Sequence, residues 1–207
     1  MPKNNYEQMR NEMRIHFLDY DQPEMIRKFS LKHDDKYIYI RFLARDYRIS
    51  RQNGIVEGSD NGFSNTSEAD YNESMTIYDI LCCSKPDCAL SGKYALSSSL
   101  KGIIHTGWNV GGGTMFQQFS DTFDKLFDRL PYACELLGGV PEGRGDISYR
   151  IPMFDFLPVL FSFWRSDDEF PADIRLLWDT NVLDFMHYET LWFAAGHLMR
   201  RLEEGLR

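Results

Sequence analysis

A chain of 207 residues suits one well-packed domain, or at most two small ones. With 43% hydrophobic, 26% charged and 14% aromatic residues it has ample material for a core, which excludes a disordered or fibrous chain. Its 23 Lys and Arg against 31 Asp and Glu leave a net charge of −8, which aids solubility and argues against nucleic acid as a partner.

In residues 4–20, Tyr6, Met9, Met13 and Phe17 recur at helical spacing, so an amphipathic helix is expected. The charges Glu7, Arg10, Glu12, Arg14 and Asp19 interrupt any signal-peptide core, which predicts a cytoplasmic protein. No stretch reaches the roughly 18 apolar residues of a membrane span; the richest, residues 153–164, is broken by Asp155 and Pro158. Pro23 suits the first turn of a second helix carrying Met25, Ile26 and Phe29. Residues 36–43 alternate as a strand, and Asn53-Gly54 predicts a tight hairpin between residues 47–50 and 55–57. Residues 59–72 read as a long polar loop. Met75, Ile77, Tyr78, Ile80 and Leu81 mark a helix that ends before Lys85-Pro86, followed by a short strand between Ser91-Gly92 and the serines at 97–99.

A helix over residues 114–130 carries a broad apolar face including Phe119 and Phe123, with Thr114 and Gln117 placed for a capping box and Pro131 as its stop. The preceding Gly111-Gly112-Gly113 could cradle an anion on backbone N–H groups, yet it lacks the spacing of either phosphate-binding glycine motif and reads as a packing turn. Beyond a short helix at 132–137, strands are expected at 146–153, 157–165 and 174–178, and a last helix at 188–204 holds Leu191, Ala195, Leu198 and Leu202 at helical spacing. The predicted fold class is α+β: a single domain with a largely antiparallel sheet and helices packed against it.

Four cysteines, Cys82, Cys83, Cys88 and Cys134, are too few for a disulfide scaffold, and their spacing departs from the paired C-x2-C units of zinc sites. Cys82 and Cys83 are read as small buried side chains finishing an apolar helix, and no metal is assigned. The histidines show neither H-x-x-x-H nor H-E-x-x-H, and no G-x-S-x-G elbow is present, so nucleophilic catalysis lacks support. Trp108, Trp164, Trp178 and Trp192 are either core or the lining of a pocket for a flat ligand. The candidate ligand-binding set is acidic: Asp167, Asp168 and Glu169 in one turn, joined by Asp179 and Glu189, with Arg165 as the nearest cation. Such a group either stabilises a turn or binds a ligand or hard cation through oxygen.

The segments Leu136-Leu137-Gly138-Gly139, Gly145-Asp146-Ile147, Phe156-Leu157-Pro158 and Leu177-Trp178-Asp179 accompany the run Trp164-Arg165-Ser166-Asp167-Asp168-Glu169-Phe170-Pro171-Ala172. With Ser91-Gly92-Lys93 and Phe116-Gln117, they resemble DUF3786, a family of unknown function common in anaerobic bacteria and archaea. Where relatives carry Thr-Glu-Asp before the last helix, this chain has Tyr188-Glu189-Thr190. The resemblance implies an anaerobic setting and no known reaction. The resulting expectation is a non-catalytic ligand-binding or accessory module, its small-molecule or protein partner and any cofactor unnamed; a carboxylate-dependent enzyme and a structural homo-oligomer are the alternatives.

Overall fold

The computed structural model describes residues 5–101, 116–143 and 145–207. The chain divides into two compact units, Met1–Ala89 with Leu183–Ala194 and Leu90–Val182 with Ala195–Arg207. Both combine helices with antiparallel strands, so the class is α+β as expected.

The first unit opens with α1 (Asn5–His16) and a single 3-10 turn, Phe17–Asp19. The apolar stripe forms as predicted, but its burial falls on Phe17, whose ring lies 6.0 Å from that of Tyr78, while Tyr6 and Met9 remain exposed. Helix α2 (Gln22–Phe29) begins where the Asp21 carboxylate accepts from the Glu24 N–H at 2.9 Å, with proline in its first turn. Strands β1 (Tyr37–Phe42) and β2 (Arg45–Ser50) then pair from Tyr37↔Ser50 to Phe42↔Arg45.

Leu43 and Ala44 make the turn between them, both in the left-handed region at φ 49° and 60°. Such a turn normally recruits Asn or Gly, because a side chain there costs about 1–2 kcal/mol per residue. Leu43 is fully buried, and its apolar burial offsets the strain at its own position. Ala44 gains no equal compensation, so Ala44→Gly is expected to stabilise the protein by about 1 kcal/mol. A rise in urea midpoint at unchanged slope would bear this out; a fall would show that the turn is not strained.

The hairpin centred on Asn53-Gly54 forms, with β3 (Val56–Ser59) pairing β2 through Ile49↔Val56 and Arg48↔Glu57. Its turn is looser than predicted. Gly54 takes φ +73°, but Asn53 instead accepts the Ile55 N–H on its side chain at 3.0 Å. Glycine is required at 54 because a Cβ there would lie 2.3 Å from the Arg14 carbonyl oxygen.

The polar stretch that follows is organised by its own side chains: Ser59 Oγ accepts from the Phe63 N–H at 2.9 Å, and Asn61 Oδ1 accepts from the Asn65 N–H at 2.9 Å. A two-residue strand, β4 (Ser67–Glu68), adds to β3, and α3 (Tyr71–Cys83) starts earlier than its apolar run implies. Asp70 and Glu73 explain the early start, each carboxylate accepting the other's backbone N–H, at 2.9 and 2.7 Å.

In the second unit β5 (Tyr94–Leu96) precedes α4 (Gln117–Lys125), a 3-10 turn at Phe127–Arg129 and α5 (Leu130–Leu136). Pro131 stands in the first turn of α5 and so starts a helix, where the sequence reading makes it a stop. Gly111-Gly112-Gly113, Thr114, His105 and Trp108 lie outside the described residues. Next come β6 (Val140–Pro141), β7 (Ile147–Phe154), β8 (Leu157–Trp164) and β9 (Asp173–Asp179), all antiparallel in the order β6-β7-β8-β9-β5. Pro152 faces Pro158 across β7 and β8, and since neither has an N–H the ladder shifts register just beyond them. Phe123 of α4 sets its ring 6.2 Å from Phe161 and 6.3 Å from Phe163, covering β8 as the apolar patterns require.

Two helices, α6 (Val182–Phe185) and α7 (Tyr188–Gly205), complete the chain. Leu191, Ala195, Leu198 and Leu202 of α7 are all buried. Among the described residues no helix is long and apolar enough to cross a membrane.

Candidate functional site

Asp79 and Cys83 stand one helical turn apart on α3, so their side chains share a face at its C-terminal end. The segment before α7 is fastened to the same end: the Lys85 N–H donates to the Asp184 carbonyl at 2.8 Å and Lys85 Nζ reaches Asp184 Oδ1 at 2.5 Å. His187 and Thr190 thereby meet Asp79. Asp79 Oδ2 accepts from the His187 N–H at 2.8 Å and from Thr190 Oγ1 at 2.6 Å, while Oδ1 lies 2.6 Å from His187 Nδ1. A buried carboxylate here satisfies backbone and hydroxyl donors at the start of α7 and complements its dipole.

Cys83 completes the group. Its thiol stands beside the Asp79 carboxylate and the Tyr20 hydroxyl. Partial burial and the Asp79 carboxylate push the thiol up to about 11, so at neutral pH it carries its proton and is a poor nucleophile. Cys83 and His187 nevertheless both reach solvent, and the sequence reading of Cys83 as a buried helix residue is corrected accordingly. Cys82, its neighbour, turns inward, and burial pushes it up to about 12. Cys134 is fully buried in the second unit. One sulfur, one nitrogen and one oxygen of Cys83, His187 and Asp79 lie within 4.8 Å of one another.

The acidic set from the sequence is distributed otherwise. Asp167 shapes its own turn, its Oδ1 accepting from the Glu169 N–H at 2.8 Å and the Phe170 N–H at 2.7 Å. Asp168 and Glu169 are exposed, and their side chains have no hydrogen-bond or ion-pair partner among the described residues. Arg165 is turned towards α4, with Nε 3.8 Å from Asp124 and its guanidinium 5.0 Å from the Phe127 ring centre. Asp179 ends β9, whereas the acidic turn leads into its first residue, Asp173; a seven-residue strand puts roughly 20 Å between those ends. Its carboxylate is buried and taken up by backbone and hydroxyl donors of Ser91, Gly92 and Asn181. Glu189 is exposed in the first turn of α7 and belongs to the first unit. Of the tryptophans, Trp178 is buried, Trp164 stacks under the Arg175 guanidinium at 4.6 Å, and Trp192 meets the edge of Tyr188 at 6.0 Å.

No sequence motif names Asp79 and His187 together, since they are 108 residues apart. The legible half was the Asp79-x-x-x-Cys83 spacing, which sets two ligand-type side chains on one helical face. A family model described as a domain of unknown function, DUF3786, matches residues 21–201, so the chain belongs to that family. Neither the curated proteins nor the solved structures yield a match.

Proposed function

We propose that this member of the DUF3786 family is a non-catalytic binding module whose ligand seat is formed by Asp79, Cys83 and His187 in the first unit. The observation that carries the reading is the convergence of three different ligand atoms within 4.8 Å, two of them on side chains that reach solvent. The carboxylate-enzyme alternative draws less support, because Asp179 is saturated by its own loop while Asp168 and Glu169 face water. We place the protein in the cytoplasm of an anaerobe, a reducing compartment in which Cys83 stays a thiol.

Alkylation tests the seat. The full chain is screened against divalent ions, nucleotides and organic acids, following the thermal midpoint and the rate at which iodoacetamide labels Cys83 and Cys88. A true ligand slows labelling of Cys83 at least about tenfold, leaves Cys88 unchanged and raises the midpoint; at 100 times its dissociation constant it adds about 2.7 kcal/mol. If every compound leaves Cys83 labelling and the midpoint where they were, the seat is rejected.

A further inference from the structure

We infer that the ligand of this seat is a borderline-soft divalent ion of the zinc and cobalt(II) class, bound by Cys83 Sγ, His187 Nδ1 and Asp79 Oδ1. The inference rests on the binding reading above and names its ligand.

The donor set selects the ion. Magnesium and calcium require oxygen ligands, six or more for calcium, which a thiol and an imidazole do not supply. Mixed sulfur, nitrogen and oxygen donors suit zinc, and three protein ligands leave its fourth tetrahedral position to water or to an incoming group. Solvent access at Cys83 and His187 provides that position and an entry route. Charge also balances, since the Cys83 thiolate and the buried Asp79 carboxylate together neutralise a divalent ion.

Geometry requires His187 to move and Cys83 Sγ to close in from a separation of up to 4.8 Å. Bond lengths of about 2.0–2.3 Å at tetrahedral angles set ligand atoms about 3.4–3.6 Å apart. His187 Nδ1 must therefore withdraw from its 2.6 Å contact with Asp79 Oδ1 by a little under 1 Å, and a side chain 65% exposed can do so. Asp79 Oδ2 meanwhile keeps Thr190 Oγ1 and the His187 N–H, the outer hydrogen bonds that orient a ligating carboxylate. On binding, the Cys83 thiol proton leaves to solvent and the imidazole proton moves from Nδ1 to Nε2. The metal then bonds to the two freed lone pairs and to Oδ1, with no change of oxidation state.

Cobalt(II) provides the test, because a cobalt–thiolate bond produces a near-ultraviolet charge-transfer band and tetrahedral geometry intensifies the visible bands. The full chain is expected to bind one cobalt with both features and to exchange it for zinc, with magnesium unable to compete. Cys83→Ser should abolish the charge-transfer band and weaken zinc at least about 100-fold, beyond the 10–100-fold that loss of an outer-shell partner causes. Cys82→Ser should leave both unchanged, and His187→Gln should weaken zinc comparably to Cys83→Ser. Should His187→Gln fail to fold, Cys83→Ser decides alone, because that side chain is exposed. A cobalt complex without the thiolate band, or one whose band survives Cys83→Ser, overturns the inference. If cobalt and zinc do not bind but another compound protects Cys83 from alkylation, the metal is rejected and the seat stands; if nothing protects it, both fall.

Discussion

Asp179→Ala is expected to destabilise the protein by about 3–5 kcal/mol, among the largest effects available to a single polar substitution. The side chain has no solvent exposure. It accepts the Ser91 N–H at 3.0 Å, the Ser91 hydroxyl at 3.0 Å, the Gly92 N–H at 2.9 Å and the Asn181 N–H at 2.9 Å. Each bond to a charged acceptor contributes about 1.5–3 kcal/mol, and truncation leaves several donors without an acceptor. The bonds join the turn after β9 to the loop that leads into β5, and Tyr94 of β5 is the register partner of Asp179. Loss of the carboxylate should therefore also loosen β5, visible as faster amide exchange at Tyr94 to Leu96. Asp179→Asn keeps the shape but turns an N–H towards existing donors, and should cost about half as much. A loss below about 1 kcal/mol in urea unfolding of Asp179→Ala would show that water replaces the carboxylate.

Glu73→Ala comes close behind, at about 3–4 kcal/mol, for a different reason. Glu73 lies buried at the start of α3, its Oε1 accepting the Tyr47 hydroxyl at 2.7 Å and Arg45 Nη1 at 3.0 Å, its Oε2 the Asp70 N–H at 2.7 Å. Truncation removes half of a capping box and the closest anionic partner of a guanidinium whose side chain is only 18% exposed. Asp60, at 3.4 Å and more exposed, is the remaining counter-charge. Tyr47→Phe alone should cost about 1–1.5 kcal/mol, because Glu73 keeps its other donors. In the double mutant the losses should fall short of additivity by roughly 1 kcal/mol, since both substitutions remove the same Tyr47–Glu73 hydrogen bond. Strict additivity would show that the two side chains do not act as a unit.

These two carboxylates show what the sequence conveys and what it withholds. Period-two and period-3.6 patterns located β7, β8, β9 and α7 to within a residue or two, because those elements bury one face and the chain must repeat accordingly. The turn at Leu43-Ala44 stayed invisible, since burial of Leu43 overrides local preference there. Asp70, Tyr71 and Asn72 fall in the stretch that reads as a polar loop, although Asp70 followed three residues later by Glu73 is a helix-start signal. Among the acidic residues, sequence could not separate the exposed Asp168 and Glu169 from the buried Asp179, since burial depends on packing partners far away in the chain. Asp79 and His187 fail for the same reason: their meeting is a tertiary event.

The way the chain threads through its two units sets a timetable for biosynthesis. The first unit needs residues 183–194, and the second needs 195–207, so neither is complete until the final helix has been made. Asp79 is translated 108 residues before His187. At about 5–20 residues per second, its carboxylate waits roughly 5–20 s for the amide, imidazole and hydroxyl that will cover it. Through that interval the Asp79 carboxylate lacks the donors from His187 and Thr190 that satisfy it in the finished fold. Completion of the last helix is thus the step that closes both units, and a chain stalled before residue 183 would leave each of them unfinished.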